Sequence, residues 1–368
     1  MKFICKCEDL KREVSFANAF TSKRNALSIT SNILLGNSNN TLTIKSTDTK
    51  SGFKSYLEVD TVVPGSTTVM SEKFMDILKN IDSSIDLEIS VENDRLTMKG
   101  LSNSIFEVNI RTVDPSIFPA LEEMSDEDMF TLGQKNFFDM IDKTAFAVGK
   151  DETRFFLTGV YMEKSDDEKL VLVSTDGKRL AMVKRKFEQD IPSFIPAIIP
   201  VQFLSSIMTI GSGDGVLSLG FKGNFVFANI EGRMIYATLI TGNYPNYEKV
   251  IPSSFKNSCK IRTNDLISAM NLNSVLIESK SRRIFFDINQ DGIMLSVEDS
   301  DGNSRNIVKC DYEGEEIKLI FNFNYLFDSI KKIDTEFLSL NINTTSSAIG
   351  IKSEPESDYI FIIMPIQV

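Results

Sequence analysis

Two aspartates are the first candidates for chemistry, because each ends an alternating apolar stretch. Asp48 follows TLTIKST and Asp176 follows LVLVST. A carboxylate can act as a general acid or base when a second titratable group lies within hydrogen-bond reach. Neither aspartate has such a partner at a matching spacing, and aspartate after a strand is typical of a turn. We therefore interpret both as turn residues.

The chain contains no histidine, although it has 51 acidic and 40 basic residues. This removes the Ser-His and Cys-His nucleophile pairs and the imidazole ligands of metal sites. Cys5, Cys7, Cys259 and Cys310 form neither a CxxC pair nor a disulfide framework, so we interpret them as reduced and mostly structural. The sequence predicts no catalytic residue, no metal ligand and no cofactor.

The elements that position these residues must belong to more than one domain. A chain of 368 residues with 42% hydrophobic and 25% charged residues is typical of a globular protein of two or three domains. No stretch approaches the roughly 20 uncharged apolar residues of a membrane helix, and the start lacks a signal-peptide core, so we expect a cytoplasmic protein. A net charge of −11 argues against binding nucleic acid through bulk electrostatics, although local basic strips remain possible.

An internal repeat organises the chain. Ser-Thr-Asp at 46–48 recurs at 174–176, which is 128 positions later and close to the length of one domain. Apolar residues three or four apart predict two helices in each of three repeats. The predicted helices are Asp9–Phe20, Lys135–Val148 and Asn264–Ile277 in one class, and Ser71–Ile81, Pro200–Ile210 and Phe323–Ile333 in the other.

Hairpins and linkers complete each repeat. Alternating stretches around Asn93-Asp94, Glu231-Gly232 and Asp291-Gly292 predict antiparallel strands. Proline-containing segments at 113–129 and 243–258 interrupt the pattern and predict linkers. We therefore predict an α+β fold of three similar domains at 1–124, 125–252 and 253–368, each with two helices packed on antiparallel sheets.

Five stretches, in order along the whole chain, resemble signature segments of the bacterial β sliding clamp family. They are ETRFFLTGVYME (152–163), STDGKRLA (174–181), GNYPNYEKVIP (242–252), FNFNYLFDSI (321–330) and IIMPIQV (362–368). The resemblance implies a non-catalytic processivity factor, the beta subunit of DNA polymerase III, whose chains join head to tail into a dimeric ring. Such a homodimer encircles double-stranded DNA independently of sequence and has no membrane partner.

The resemblance also implies a pocket between the second and third domains that binds short peptide motifs of the replicative polymerase, the clamp loader and repair proteins. The pocket residues carried over by matching motifs are Arg154, Phe156, Leu157, Thr175, Gly177, Lys178, Arg179, Leu180, Pro245, Val250, Asn322, Tyr325, Ile362, Met364, Pro365 and Ile366. Apolar side chains suit a pocket floor, and methionine suits a surface that adapts to several partners.

Two further surfaces follow from the same resemblance. DNA contact is assigned to Lys23 and Arg24, with further candidates on the helices at Lys11, Arg12, Lys73, Lys79, Lys135, Lys143, Lys331 and Lys332. The dimer interface is assigned to Phe106 and to Val275 with Leu276. Core packing of the interface residues is the alternative.

Departures from the family pattern concern specificity. Lys178 stands where many relatives have histidine, and Phe156 stands where tyrosine is common. We expect these changes to alter peptide preference without removing the pocket. Two other functions remain as alternatives: a nuclease or phosphatase that holds a metal with aspartates, and an exported adhesion-like β protein.

Overall fold

A computed structural model of the chain describes residues 1–23, 28–101, 106–277, 281–299 and 302–367. The chain divides into two compact units. One unit comprises Met1–Lys135 with Gln202–Leu239, and the other comprises Asn136–Val201 with Ile240–Val368. Within the described residues, no helix is both long enough and apolar enough to cross a membrane.

The first repeat alternates strands and helices. Its described elements are β1 (Lys2–Lys6), α1 (Cys7–Asn18), β2 (Asn32–Ser38), β3 (Thr41–Thr47), β4 (Ser51–Glu58), β5 (Asp60–Val63), β6 (Gly65–Met70), α2 (Ser71–Lys79), β7 (Asp86–Glu92), β8 (Arg95–Gly100) and β9 (Glu107–Val113). In α1, Leu10, Val14 and Ala17 are fully buried at the three- and four-residue spacing of one helix face.

The second repeat follows the same order with one strand fewer between its two helices. Its described elements are β10 (Phe130–Gly133), α3 (Gln134–Asp142), β11 (Gly159–Lys164), β12 (Leu170–Thr175), β13 (Arg179–Arg185), β14 (Ala197–Pro200), α4 (Val201–Ile210), β15 (Val216–Lys222), β16 (Phe225–Ile230) and β17 (Arg233–Thr238). The repeat therefore contributes residues to both compact units.

The third repeat has this order again. Its described elements are β18 (Asn257–Arg262), α5 (Thr263–Ser274), β19 (Arg283–Asn289), β20 (Gly292–Asp299), β21 (Gly302–Val308), β22 (Cys310–Tyr312), β23 (Ile317–Asn322), α6 (Phe323–Ile330), β24 (Phe337–Ile342), β25 (Ile349–Glu354) and β26 (Tyr359–Ile363). All six predicted helices are confirmed, with ends that differ by a few residues.

The largest difference concerns α3, which the sequence extends to Val148. The helix ends at Asp142, and Thr144 has a backbone φ of −123° and ψ of −44°. The Thr144 hydroxyl donates a hydrogen bond of 2.7 Å to the carbonyl of Met140. This side-chain bond competes with helix continuation, and a short 3₁₀ turn at Ala145–Ala147 follows.

Antiparallel sheets join successive repeats. In the first unit the strand order is β10-β15-β16-β17-β4-β3-β2-β6-β9-β8-β7-β1-β5, and in the second it is β14-β11-β12-β13-β26-β25-β24-β18-β22 with a separate sheet β21-β20-β19-β23. The last strand of the second repeat, β17, pairs with β4 of the first repeat. The last strand of the third repeat, β26, pairs with β13 of the second repeat. Each junction between repeats is thus a pair of hydrogen-bonded strands.

The two Ser-Thr-Asp triplets form equivalent turns, which confirms the turn interpretation of both aspartates. Asp48 Oδ1 accepts hydrogen bonds from the backbone N–H groups two and three residues later, at 2.9 and 2.7 Å. Asp176 Oδ1 accepts the same pair at 2.9 and 3.0 Å. The residue after each aspartate has a positive φ, which is 77° at Thr49 and 87° at Gly177.

Candidate functional site

A cavity of about 310 Å³ lies in the second unit, where β13 pairs with β26. Its lining comes from four segments that are distant in sequence. The lining residues are Arg154, Phe156, Leu157, Thr175, Gly177, Lys178, Arg179, Leu180, Pro245, Tyr247, Val250, Ile362 and Met364. The structure thus brings together twelve of the sixteen residues predicted for the pocket.

The floor of the cavity is apolar and rigid. Leu180 and Ile362 are paired across β13 and β26 and are 3% and 1% exposed. Met364 follows β26, and its N–H donates a hydrogen bond of 2.9 Å to the carbonyl of Lys178. The Met364 side chain remains 38% exposed at the rim. An apolar side chain entering here would lose contact with water without displacing backbone hydrogen bonds.

The ETRFFL segment forms one wall of the cavity, and Arg154 interrupts its 3₁₀ helix at Glu152–Leu157. Arg154 has a φ of −115° and a ψ of 54°, outside the helical region. Its guanidinium donates to the carbonyl of Asp176 at 3.3 Å and pairs with Asp151 at 3.3 Å. A Cβ atom on Gly177 would lie 2.9 Å from Arg154 Nη1. Glycine adopts this positive φ without strain, and its lack of a side chain leaves room for the close approach of Arg154.

Arg179 is fixed from several directions. Its guanidinium pairs with Asp176 at 3.2 Å and Asp328 at 3.0 Å, and it donates to the carbonyl of Phe146 at 2.8 Å. The guanidinium carbon lies 5.3 Å from the ring centre of Phe146 and 4.8 Å from that of Tyr325. Such contacts hold a planar cation in one orientation. Arg179 therefore shapes the wall and is not a freely mobile charge.

Four predicted pocket residues do not line the cavity. Asn322 caps α6 by accepting hydrogen bonds from the backbone N–H groups of residues 324 and 325, at 3.1 and 3.4 Å. Tyr325 lies behind the wall, under Arg179. Pro365 is buried, and the Ile366 N–H donates to the carbonyl of Ile320 at 2.7 Å. The chain after Met364 is thus hydrogen-bonded to β23, and Pro365 and Ile366 are not among the lining residues.

Tyr247 lines the cavity but is missing from the predicted set. Its hydroxyl donates a short hydrogen bond to Glu163, and burial and then this carboxylate raise the pKa of Tyr247. Tyr161, whose ring stacks on Tyr244 at 4.8 Å, also donates to Glu163, at 3.0 Å. The only signal in the sequence is the position of Tyr247 two residues after Pro245. Glu163 is 84 residues away and cannot be paired with it by spacing.

The rim of the cavity is cationic. The Lys178 side chain is exposed and has no ion-pair partner among the residues that the structure describes. Arg154 lies beside it, with its side chain 50% exposed. Val250 is also exposed at the rim. The arrangement suits an extended peptide with apolar anchors and an acidic or polar flank.

The equivalent position in the first unit differs. Gly52 and Tyr236 are paired across β4 and β17, in the register that Leu180 and Ile362 have across β13 and β26. The Tyr236 hydroxyl lies 3.3 Å from the Thr47 hydroxyl. A smaller cavity of about 220 Å³ remains beside the ring, and three acidic linker residues, Glu122, Glu123 and Asp126, contribute to its lining. The two turns are alike, but the surfaces beside them are not.

The residues predicted to touch DNA are only partly described. Lys23 is exposed and lines a cavity of about 240 Å³ between the end of α1 and α2. Arg24 lies outside the described residues. The candidate Lys143 is wrong, because its side chain is buried between Asp139 at 2.6 Å and Asp334 at 2.8 Å. Of the other helix candidates, those that form ion pairs with nearby carboxylates are Arg12, Lys79, Lys331 and Lys332.

The residues predicted for the dimer interface lie on two surfaces. In the first unit, Phe106 lines an apolar cavity of about 550 Å³ with Val108 and three isoleucines at 77, 81 and 85. In the second unit, Val275 follows α5 and is 83% exposed, whereas Leu276 is half-buried. Ile307 on β21 is also exposed. The exposure of Val275 contradicts core packing for that residue.

Comparison with known proteins decides the family. Models of the DNA polymerase III beta subunit match residues 1–122 (N-terminal domain), 131–246 (central domain) and 248–367 (C-terminal domain). The chain belongs to the DNA polymerase III beta subunit family. The beta sliding clamp of Treponema pallidum is 29% identical to this chain, and that of Escherichia coli K12 is 24% identical, each over 100% of both chains.

Solved sliding clamps have the same fold as this chain of the beta subunit family. The clamp of Bacillus subtilis has a TM-score of 0.92 at 22% identity and is matched over 99% of its length. The clamp of Pseudomonas aeruginosa bound to griselimycin has a TM-score of 0.92 at 23% identity and is matched over 100%. The α+β fold of three similar clamp domains is confirmed. Members of the beta subunit family are non-catalytic processivity factors. The alternative predictions of a nuclease or phosphatase and of an adhesion-like β protein are therefore wrong.

Proposed function

We propose that this chain forms a cytoplasmic ring that encircles double-stranded DNA and tethers the replicative polymerase, the clamp loader and repair proteins by their short peptide motifs. The observation that carries the tethering role is the apolar cavity at the β13–β26 junction. Its floor is fixed by backbone pairing, and its wall is fixed by Arg179. A preorganised groove with an exposed methionine at its rim suits several related peptides.

Strand pairing supports the ring. The last strand of one repeat pairs with the preceding repeat twice within this chain, as β17 with β4 and β26 with β13. In the third repeat, β21 occupies the position that β4 and β13 have in the first and second repeats. By this equivalence, β9, the last strand of the first repeat, would pair with β21 of a second copy. Within the described residues β21 pairs only with β20, and the 107–111 part of β9 pairs only with β8. Two copies joined in this way form a closed twofold assembly.

Apolar surface supports the same seam. The cavity beside Phe106 is near the start of β9. The exposed Val275 directly follows α5, which packs against β21, and the exposed Ile307 lies on β21 itself. Exposed apolar side chains grouped in this way are typical of protein interfaces. Phe106, Val275 and Leu276 therefore remain our proposed interface residues, with Ile307 added by its exposure.

Encirclement makes DNA retention a matter of topology. A ring needs few tight phosphate contacts, so a net charge of −11 is compatible with it. We assign weak phosphate contact to Lys23 and Arg24. We also assign it to Lys11, Lys73 and Lys135, which have no ion-pair partner among the residues that the structure describes. Since phosphate contacts carry no sequence information, retention would be independent of sequence.

The ring is tested by light scattering and by retention on DNA. We expect a mass near twice 41.3 kDa and retention on circular DNA that is lost on linearisation. Ile307→Asp should give monomers that no longer stay on circular DNA. Ile195→Asp, at a site 87% exposed and far from β21 in sequence, is the matched control and should remain dimeric. A monomeric wild-type protein would contradict the proposed seam.

The cavity is tested separately with a fluorescent peptide that carries the clamp-binding segment of the replicative polymerase. Met364→Ala should weaken peptide binding by about tenfold, since it removes an apolar contact from the rim. Ile195→Ala should bind as the wild-type protein does. Unchanged affinity of Met364→Ala would remove the pocket assignment but would leave the ring untouched.

A further inference from the structure

Two cysteines of the third repeat lie side by side on neighbouring strands. Cys259 on β18 is paired with Tyr312 on β22, and Cys310 on β22 is paired with Ile261 on β18. The two cysteines are therefore diagonal neighbours on one face of the sheet, because paired residues of adjacent strands point to the same side. The two thiols are close enough for each to shift the pKa of the other.

The two thiols differ in their surroundings. Cys259 is fully buried, whereas Cys310 is half-buried. The hydrogen bond from the Cys259 thiol lowers the pKa of Cys310 below its ordinary 9.0, although burial and Asp311 oppose this. The same contact, followed by burial, raises the pKa of Cys259. Cys310 is thus the accessible nucleophile, since the thiolate is the reactive form.

We propose that Cys310 and Cys259 form a reversible redox pair, in which a peroxide oxidises Cys310 and Cys259 resolves the product as a disulfide. In the first step the Cys310 thiolate attacks one oxygen of hydrogen peroxide. The S–O bond forms, the O–O bond breaks and hydroxide leaves, so that Cys310 becomes a sulfenic acid. In the second step Cys259 gives up its proton and attacks the Cys310 sulfur, and the S–O bond breaks to release hydroxide. Two thiols and one peroxide give one disulfide and two waters.

The position of β22 permits this step. β22 has three residues and is last in the order of its sheet, and among the described strands it pairs only with β18. Diagonal neighbours typically have Cα atoms about 7–8 Å apart, which is beyond the usual separation across a disulfide, so one strand must shift towards the other. A short edge strand can do so while β18 stays in place between β22 and β24.

Cys5 and Cys7 provide an internal comparison within the same chain. Both are buried near the start of the chain, and they are two residues apart. Burial raises the pKa of both thiols, followed for Cys5 by the neighbouring Cys7. Neither is the partly exposed, low-pKa thiol that reacts with peroxides. Peroxide should therefore distinguish the two pairs.

The test treats the folded, full-length protein with hydrogen peroxide and follows intact mass and tryptic peptides. We expect a loss of two hydrogens, a cross-link between the peptides that contain Cys259 and Cys310, and reversal by dithiothreitol. Cys310 should react about tenfold faster than Cys5 or Cys7, in line with its thiolate character. Hydrogen exchange of the β22 amides should slow in the oxidised form, because the cross-link ties this edge strand to β18.

Two variants separate the steps. Cys259→Ser should let Cys310 proceed to sulfenic and sulfinic acid without a cross-link, and Cys310→Ser should leave Cys259 reduced. Unfolding curves of both variants check that they are folded. Oxidation of wild-type Cys310 to sulfinic acid without a cross-link would overturn the proposal, and so would loss of the Cys5 and Cys7 thiols at the rate of Cys310.

Discussion

The ring of Tyr236 lies directly against Gly52, its paired residue across β4 and β17. A Cβ atom on residue 52 would be 2.2 Å from Tyr236 Cε1 and 2.8 Å from its hydroxyl oxygen. Leu180 occupies the repeat-equivalent position, opposite Ile362. The Tyr236 ring thus covers the position beside the first turn, whereas an open cavity lies beside the second turn. Only glycine at position 52 leaves room for this ring.

Gly52→Ala should destabilise the protein by about 1–3 kcal/mol, the usual cost of forcing extra atoms into a filled site. The measurement is the urea-unfolding midpoint. Gly133→Ala is the control, because a Cβ atom there meets nothing within 4 Å. Tyr236→Ala should suppress the effect of Gly52→Ala in a double-mutant cycle, and additive effects of the two changes would show that no clash exists.

Exchanging threonine and glycine between turn positions 49 and 177 should change the free energy of unfolding in opposite directions. Thr49 is exposed with a φ of 77°, which costs an L-residue roughly 1–2 kcal/mol, partly offset by the flexibility of glycine in the unfolded chain. Thr49→Gly should therefore stabilise the chain by about 0.5 kcal/mol. Gly177→Thr should destabilise it by more, because its Cβ also meets Arg154. Equal effects of the same sign in urea unfolding would contradict this account.

Asp328 should support peptide binding without touching the peptide. Asp328→Asn removes the charge that holds Arg179 at 3.0 Å, and we expect a several-fold loss of peptide affinity, about 1 kcal/mol for a partly exposed pair. Asp142→Asn is the matched control, since Asp142 pairs with Lys332 at 2.6 Å away from the cavity lining. Equal losses in both variants would mean that general loosening, and not Arg179, is responsible.

Lys178 should govern the salt dependence of peptide association. An exposed cation at a rim mainly accelerates the encounter with an opposite charge. Lys178→Gln should slow association of a peptide with an acidic flank by a few-fold at low salt and flatten its salt dependence. Lys50→Gln changes the repeat-equivalent lysine and should have no effect. Stopped-flow fluorescence at two salt concentrations makes the comparison, and identical kinetics for both variants would contradict a role for Lys178.

Acid should weaken the buried contact of Lys143. Burial raises the pKa of Asp334, but hydrogen bonds from Lys143 and Tyr359 outweigh it and hold the pKa below its ordinary 3.8. A folded pKa below the unfolded one gives stability that is complete above the unfolded pKa and is lost as pH falls through the folded value. Asp334→Asn should therefore destabilise the protein at neutral pH and not in strong acid.

The size of this effect is limited, because the Asp334 side chain is 62% exposed and solvent screens it. We expect about 1 kcal/mol or less at neutral pH. Asp166→Asn, at an exposed site, serves as the control in urea unfolding at each pH. A difference between wild type and Asp334→Asn that persists in strong acid would contradict the assigned charge effect.

Local signals made much of the fold predictable. Alternation and turn chemistry place β3, β4, β12 and β13 around the Ser-Thr-Asp triplets, and the same hydrogen bonds recur in both turns. Helix spacing finds α1 to α6 because each helix buries one face. The end of α3 was missed because it depends on the Thr144 hydroxyl, which can bond either solvent or the helix itself.

Long-range partners could not be predicted in the same way. Arg179 is 149 residues from Asp328, and Tyr236 is 184 residues from Gly52, so no spacing rule connects them. Motif matching identified most residues that line the cavity, but it also included Pro365 and Ile366, which are not among the lining residues. The direction in which a chain turns after its last strand depends on the backbone bond of Ile366 to Ile320.

The strand pair β13–β26 also determines how the second unit carries load. Five residue pairs, from Arg179 with Ile363 to Val183 with Tyr359, connect the second repeat to the third. Pulling these repeats apart along the strands must shear all five pairs together, whereas pulling across the strands breaks them one after another. In the proposed complex, a peptide bound over Leu180 and Ile362 contacts both β13 and β26 and therefore adds contacts that hold the two strands together. Tension on a tethered partner is then borne by the sheet.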